Sequence, residues 1–268
     1  MNRHYPGAFS DKDQASPEPG QQAVTFLELL RPGGPWLLNS FDPETGNGDT
    51  IHTSDTDEVR KFVARHNGKQ NIYFGVNPTR GPMKKKAAKV DISAIEYALA
   101  DCDPADNETP DEARNRYLEA IKATGTPEPT FTISSGNGLQ FLWRLETPIP
   151  IAEPITKPKR NKDGVSISKL ALSDEAQAVV DDVEGRFEMV MLSLGTKAGT
   201  QNIDRVLRLP GTLNLPTKKK LKNGRVICQA SLIAMNECAY SLDVFPEKKV
   251  NEKPKSLSGD FLNRMNHL

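Results

Sequence analysis

Short apolar segments, separated by polar and turn-forming residues, run through most of the chain, and their spacing predicts alternating helices and strands. Apolar residues at helical spacing predict helices at 21–30, 56–66, about 109–123 and 173–194. Shorter apolar or alternating runs predict strands at 36–41, 71–76, 95–103, 130–134, 139–145, 205–209 and 226–230. Residues 153–170 hold two prolines and five basic residues, which predicts a loop or an insertion there.

Three of the predicted helices begin at residues suited to cap them. Thr56 and Ser173 each precede two acidic residues, and Thr109 precedes a proline and has Glu112 three positions later. Gly-Asn-Gly at 136–138 supplies the positive backbone angles of a tight hairpin between two strands. The mixture predicts an α/β (α+β) fold, and the hairpin argues against a purely parallel sheet.

Length and composition are those of an ordinary globular protein. The chain has 268 residues, of which 37% are hydrophobic and 26% charged, enough for one large domain or two small ones. Residues 1–20 are polar and predict a disordered leader, 21–245 form the predicted domain, and 246–268 predict a charged tail or linker. The 35 basic residues balance 35 acidic ones, which excludes a uniformly basic surface but not local basic patches.

The cysteines and the apolar runs bear on the location of the protein. Cys102, Cys228 and Cys238 are far apart, and the four histidines do not cluster, so a disulfide scaffold and a zinc site are disfavoured. No apolar run is long enough to span a membrane, and no secretory signal precedes the domain. These features together predict a cytoplasmic protein without a membrane partner.

An Asp-x-Asp pair ends the predicted strand at 95–103. On a strand, Asp101 and Asp103 point to the same side and Cys102 points into the protein. Two such carboxylates, about 7 Å apart, suit hard divalent cations shared with substrate phosphates. An acidic turn before Pro104 explains the same residues without any ligand.

A second motif, Ser-Ser-Gly-Asn-Gly-Leu-Gln, surrounds the hairpin. Ser134, Ser135 and the glycine amides could hydrogen-bond phosphate oxygens, and the strand face that carries Gln140 and Arg144 could receive a polar ligand. A half-buried hairpin with one solvated face is the alternative interpretation.

The third motif is Asp-Arg-Val-Leu-Arg-Leu-Pro-Gly-Thr-Leu-Asn, at 204–214. On a strand, Asp204 and Arg208 share a face, where the acid could hold a cation and the guanidinium could bind a triphosphate. A surface ion pair of little energetic value is the alternative.

The order of the three motifs resembles the archaeo-eukaryotic primase superfamily, specifically the primase-polymerases of plasmids, phages and integrated mobile elements. The resemblance covers roughly residues 36–229, and the third motif is its most distinctive part. It implies an RRM-like antiparallel sheet that carries the acids, beside an N-terminal α/β subdomain. It also implies that residues 21–245 form a primase-polymerase catalytic domain.

The resemblance implies two-metal, template-directed nucleotidyl transfer from an NTP or dNTP on single-stranded DNA, in the replication of a plasmid, phage or mobile element. Asp101, Asp103 and Asp204 would be the catalytic residues and the ligands of two Mg²⁺ or Mn²⁺ ions. The implied nucleotide contacts are Ser135, Gly136, Gln140, Arg205 and Arg208. A helicase domain or protein is a further implied partner.

Three local basic patches could contact the template. The favoured patch consists of Arg80, Lys84, Lys85, Lys86 and Lys89. The second consists of Lys157, Lys159, Arg160 and Lys162, and the third of Lys218, Lys219, Lys220, Lys222 and Arg225. Solvated surface lysines are the alternative for each patch.

One position departs from the family pattern, because the hairpin strand of the family often carries a His where this chain has Gln140. The neutral side chain motivates an alternative: a catalytically weak replication-initiation or DNA-binding module that keeps the primase fold. A two-metal nuclease also fits clustered acids. A rolling-circle relaxase is disfavoured, because no His-x-His pair exists.

Overall fold

The computed structural model of the chain describes residues 18–105, 108–160 and 166–248. The helices are α1 (Pro19–Leu30), α2 (Thr56–His66), α3 (Pro110–Thr124), α4 (Asp174–Ser193) and α5 (Lys218–Lys222). The strands are β1 (Trp36–Phe41), β2 (Thr50–Thr53), β3 (Asn71–Gly75), β4 (Ala94–Cys102), β5 (Phe131–Ser134), β6 (Leu139–Pro150), β7 (Ile155–Arg160), β8 (Ser166–Ala171), β9 (Val206–Arg208), β10 (Leu213–Asn214), β11 (Cys228–Gln229), β12 (Ser231–Met235) and β13 (Ala239–Tyr240).

Two main sheets are built almost entirely of antiparallel pairs. The first has the order β2-β1-β3-β9. In the second, β12, β5 and β6 are neighbours, β4 pairs antiparallel with β6, and β13 adds a short parallel pairing. The predicted α/β (α+β) class is therefore confirmed, with an antiparallel sheet that carries Asp101 and an N-terminal part made of α1, α2 and the first sheet.

Alternate residues of β4 face two different hydrophobic cores. Ala98, Ala100 and Cys102 belong to the core that α3 and α4 cover. Tyr97 and Leu99 belong to the core shared with α1, α2 and the first sheet. Because successive strand residues alternate in direction, Asp101 continues the second series at the end of the strand, where this core gives way to solvent.

The helix starts follow the capping rules with one difference. Thr109 accepts a hydrogen bond from the Glu112 amide while the Glu112 carboxylate accepts one from the Thr109 amide, and Ser173 caps α4. Thr56 was predicted to cap α2, but Asp55 holds that position and accepts from the Asp57 amide at 2.7 Å. The carboxylate is the stronger partner for the partial positive charge of a helix N-terminus.

The sequence predicts a loop or an insertion at 153–170, and the loop is wrong, because the described residues there form β7 and β8, which pair antiparallel in regular register. Pro158 lies within β7 and has no N–H to donate. A two-stranded ribbon tolerates proline because each strand has an open edge. Three large apolar side chains of this hairpin are exposed: Ile155, Ile167 and Leu170.

Some predictions lie at the edge of the described residues or beyond it. The predicted leader, 1–20, falls outside them except for its last three residues, two of which begin α1. Of the predicted tail, 246–268, only the first three residues are described. Among the helices that the structure describes, none is both long enough and apolar enough to cross a membrane.

Candidate active site

A polar cleft of about 300 Å³ opens where the two sheets meet. It brings together six of the eight residues that the sequence predicts for catalysis and nucleotide binding. They are Asp101, Asp103, Ser135, Gln140, Arg205 and Arg208. The cleft also holds the cations Lys220 and Arg225 and the carboxylate of Asp42. This mixture of four cations and three carboxylates suits an anionic ligand accompanied by a metal ion.

Asp101 is held from both sides at the end of β4. Gln140, its register partner on β6, donates a hydrogen bond to one carboxylate oxygen at 3.2 Å. Arg205 donates to the other oxygen at 2.5 Å and forms an ion pair with it. The position of this carboxylate is therefore set before any ligand arrives.

Gln140 connects the two sheets at the floor of the cleft. Its amide nitrogen donates to Asp101, and its amide oxygen accepts from the backbone N–H of Arg208 at 3.1 Å. The side chain is only 5% exposed, so both hydrogen bonds are shielded from water. Gln140 therefore fixes β9 relative to β4.

Arg208 is a buried cation with unused donors. Its guanidinium stacks on the ring of Tyr73 at 4.3 Å, and one terminal nitrogen donates to Asn214 at 3.1 Å. Nε and Nη1 are buried and have no partner among the described residues. Burial lowers the pKa of Arg208. Buried donors without acceptors are costly, and an anion in the cleft would satisfy them.

Asp103 follows the end of β4, and its carboxylate is less constrained than that of Asp101. Its side chain is exposed and lines the cleft, and no described residue pairs with its carboxylate. Its backbone carbonyl accepts a hydrogen bond from Tyr117 of α3 at 2.6 Å. The chain position is therefore fixed while the carboxylate stays available.

Asp204 does not line the cleft. It lies in a neighbouring depression with Val76 and Ile203, and one of its oxygens forms an ion pair with Lys86 at 3.2 Å. Its other oxygen, Oδ1, is buried and has no hydrogen-bond partner among the residues that the structure describes. Within the described part of the chain, no group of three or more acidic, His or Cys side chains is arranged to hold a metal ion.

Gly136 contributes to the cleft through the backbone of the β5–β6 hairpin. Its φ is +94°, and a Cβ atom there would lie 2.6 Å from the Cys228 sulfur. Its neighbour Ser135 lines the cleft, and the Ser135 backbone carbonyl accepts a hydrogen bond from the Asn214 side-chain amide at 2.7 Å. Glycine at 136 therefore allows the hairpin to pack against the segment around Cys228.

Three residues of the favoured basic patch are paired within the protein, and two others are exposed. Arg80 is tied to the carbonyls of Val90, Ile151 and Ala152 and forms an ion pair with Glu153. Lys86 pairs with Asp204, and Lys89 pairs with Glu184. Lys84 and Lys85 are exposed.

Several residues of the cleft were not predicted as site residues. Tyr73 is the register partner of Arg208 on the neighbouring strand, and Asn214, after the turn that follows β9, accepts a hydrogen bond from Arg208. Arg225 donates a hydrogen bond to the Asn137 carbonyl at 3.0 Å. Asn214 ends the third motif, and Arg225 belongs to the third basic patch, so the sequence carried a signal for both. Tyr73 carried none.

Comparison with known proteins identifies the fold. No protein-family model matches the chain, and no curated protein matches its sequence. The archaeo-eukaryotic primase domain of the cyanophage S-2L primase-polymerase, PP-N190, superposes with a TM-score of 0.52 at 15% identity. The match covers 84% of this chain and 97% of that domain.

Two other solved structures are also similar. Primase RepB′ matches with a TM-score of 0.49 at 10% identity, over 83% of this chain and 58% of that one. The catalytic domain of primase RepB′ in complex with initiator DNA matches with a TM-score of 0.47 at 12% identity, over 84% of this chain and 89% of that one. The assignment depends on the cyanophage domain: the chain has an archaeo-eukaryotic primase-type fold.

Proposed function

We propose that this protein is a DNA primase-polymerase, which transfers a nucleotide from an NTP or dNTP to a growing strand on a single-stranded DNA template. One observation carries the proposal: in a primase-type fold, a single cleft brings the carboxylates of Asp101 and Asp103 together with the buried guanidinium of Arg208, two of whose nitrogens have no partner among the described residues. The replication of a plasmid, phage or mobile element is the setting that the sequence motifs favour.

Asp101 and Asp103 fit a hard divalent cation, Mg²⁺ or Mn²⁺, because carboxylates complete such a shell together with phosphate oxygens and water. A bound ion would polarise the phosphate and lower the pKa of the attacking hydroxyl. Arg205 neutralises Asp101 in the structure and would be free to bind phosphate oxygens once a cation takes its place.

Asp204 stays in the proposal as the third carboxylate. Its buried oxygen has no partner in the described part of the chain and could therefore bind a cation. Its ion-pair partner Lys86 is 40% exposed and can rotate into solvent. A second ion needs this carboxylate to turn towards the cleft.

Arg208 is proposed to bind the triphosphate. Two of its donors, Nε and Nη1, have no partner among the described residues, and they lie on different sides of the guanidinium, so each would donate a charge-assisted hydrogen bond to a separate phosphate oxygen. Ser135 and Lys220 lie on other walls of the same cleft and supply further donors. The glycine at 136 serves this site by shaping the hairpin.

The test is incorporation of labelled NTPs or dNTPs on single-stranded DNA, with and without a primer, in Mg²⁺ or Mn²⁺. Asp101→Asn/Asp103→Asn should abolish incorporation. Asp111→Asn/Glu119→Gln, which removes two exposed carboxylates of α3, is the matched control and should retain it. Equal incorporation by the wild type and the cleft variant would contradict the proposal.

A DNA-binding module with weak catalysis is the second candidate. The absence of a three-carboxylate metal group among the described residues favours it. In the same assay it predicts that the wild type binds DNA and nucleotide but leaves both the primed and the unprimed template unextended.

A further inference from the structure

A short segment next to the cleft, residues 216–227, is densely cationic, and we name it the cationic arm. It carries five basic residues and no carboxylate: Lys218, Lys219, Lys220, Lys222 and Arg225. The surrounding stretch from 205 to 236 also has no Asp or Glu. In a chain whose charges balance overall, this stretch is a local concentration of positive charge.

The cationic arm is anchored at both ends. At its start, the backbone N–H of Lys218 donates to the Glu44 carboxylate at 2.6 Å. Near its end, Arg225 donates to the Asn137 carbonyl, and the Asn137 side chain donates to the Val226 carbonyl at 3.2 Å. The arm therefore joins the N-terminal part to the β5–β6 hairpin beside the cleft.

The two sides of the arm have different surroundings. Thr217, Lys220 and Arg225 line the cleft. Lys218, Lys219 and Lys222 are exposed, and none of them forms an ion pair with a described residue. Three uncompensated ammonium groups on one turn of helix repel one another, and a polyanion would relieve that repulsion.

Apolar side chains accompany these charges. Leu221, Val226 and Ile227 are 43%, 55% and 57% exposed. Surfaces that bind single strands combine cations for the phosphates with apolar or aromatic side chains for the bases. The cationic arm has both in twelve residues.

We propose that the cationic arm binds single-stranded DNA next to the nucleotide cleft, with Lys218, Lys219 and Lys222 on the phosphates and Val226 and Ile227 against sugars and bases. The identity of this strand as the template rests on the proposed function, whereas DNA binding by the arm does not. The patch at 80–89 is a weaker candidate, because Arg80, Lys86 and Lys89 are engaged within the protein.

The first test measures binding of a fluorescein-labelled oligothymidylate by anisotropy over a range of salt concentrations. Lys218→Gln/Lys219→Gln/Lys222→Gln should flatten the plot of log K against log [salt] by about 2, since each lost phosphate contact removes about 0.7 in single strands. At about 0.1 M salt this corresponds to roughly a hundred-fold weaker binding.

The matched control is Lys61→Gln/Lys122→Gln/Lys197→Gln, which removes the same charge from three exposed lysines elsewhere on the surface. Its salt slope should stay that of the wild type. An arm variant with an unchanged slope, or a control variant with the same loss, would overturn the proposal.

The second test separates the apolar contacts from the charges. Val226→Ser/Ile227→Ser keeps every cation, so binding should weaken while the salt slope stays constant. Circular dichroism shows whether this variant is folded, and the backbone carbonyl that Asn137 uses is retained. Unchanged affinity in a folded variant would remove these two residues from the proposed surface.

The primer-extension and salt-dependence measurements together distinguish failure of this DNA-binding proposal from failure of the proposed polymerase function. If the wild type extends primers while the arm variant keeps its salt slope, the template lies elsewhere and the polymerase proposal stands. If the slope falls as expected but the wild type incorporates no nucleotide, the arm binds DNA in a protein that is not a polymerase. Nucleotide binding, measured separately by calorimetry, should respond to changes at Arg208 and not to the three lysines.

Discussion

Arg208 holds a positive charge at a place where the protein supplies few acceptors for it. The guanidinium is 7% exposed, one of its nitrogens bonds to Asn214, and the Tyr73 ring covers one of its faces. Burying guanidinium nitrogens without acceptors costs free energy in the unliganded protein. That cost is explained if a substrate brings the acceptors for these nitrogens when it binds.

Arg208→Met should therefore weaken triphosphate binding without lowering the thermal stability of the protein. Charge-assisted hydrogen bonds contribute about 1.5–3 kcal/mol each, so triphosphate affinity should fall by about ten- to a hundred-fold for each bond lost. The melting temperature without nucleotide should be retained or raised, because Met still packs on Tyr73 and removes two unsatisfied donors. Calorimetric titration with a triphosphate and thermal unfolding measure the two effects, and a large loss of stability without loss of affinity would contradict the interpretation.

The residues of the cleft differ in how far the sequence could predict them. Asp101, Gln140, Arg205 and Arg208 lie in compact motifs, so their meeting follows from a few strand contacts. The separation of Asp204 from the cleft could not be predicted, because Asp204 pairs with Lys86, which lies 118 residues earlier in the chain. No local pattern records a contact between residues so distant along the chain.

Helix α3 fixes the backbone at Asp103, just after the end of β4. Tyr117 of this helix donates to the Asp103 carbonyl, and Arg116 binds both carboxylate oxygens of Glu108 at 2.7 Å. The hydrogen bonds from Arg116 lower the pKa of Glu108 from 4.5 to about 2. Glu108 is therefore held to the helix by a carboxylate charge that persists in moderately acidic solution.

Arg116→Met should lower the free energy of unfolding at pH 7 by about 1 kcal/mol or less, since Arg116 is partly exposed to solvent. The pKa of Glu108 is lower in the folded than in the unfolded protein. Its contribution is therefore complete above pH 4.5 and is lost as the pH falls towards about 2. Urea unfolding from pH 7 to pH 2.5 should show the difference between variant and wild type closing over that range.

Lys122→Met, on the same helix, is the control for charge and helix propensity, and its difference from the wild type should not depend on pH in this range. A gap for Arg116→Met that stays constant down to pH 2.5 would show that the Glu108 pair does not stabilise the fold.

Secondary structure was most predictable where one signal dominated. The capping box at Thr109 and the apolar period of α4 specified their helices almost to the residue. The β7–β8 hairpin was missed because its prolines and lysines are typical of loops, and its pairing needs no buried face. Strand β12 was missed because it is a half-buried neighbour of β5 whose register is set by the sheet.

At the scale of the whole molecule, two cores share one pair of strands. β4 and β6 present alternate residues to each core, as Phe141 and Trp143 on one side and Leu142 on the other illustrate. Neither core can lose its strands while the other keeps them. The N-terminal part and the second sheet should therefore unfold together.

The two tryptophans allow this to be tested, because Trp36 lies in one core and Trp143 in the other. In Trp36→Phe, fluorescence reports the core under α3 and α4, and in Trp143→Phe it reports the core under α1 and α2. In each variant the urea midpoint from fluorescence should coincide with the midpoint from far-ultraviolet circular dichroism. Two separated midpoints in either variant would show that the cores unfold independently.

The walls of the cleft come from segments that begin at Phe41 and end at Arg225. During synthesis on the ribosome, the carboxylates of β4 emerge well before the cations of β9 and the cationic arm. A nascent chain therefore carries the proposed metal ligands before the cations that are proposed to bind phosphate, and the cleft is complete only when its last wall has folded. If the cleft binds a nucleotide triphosphate as proposed, a chain truncated before the arm lacks Lys220 and Arg225, two of the four cations of the cleft, and should bind the nucleotide less tightly than the finished protein.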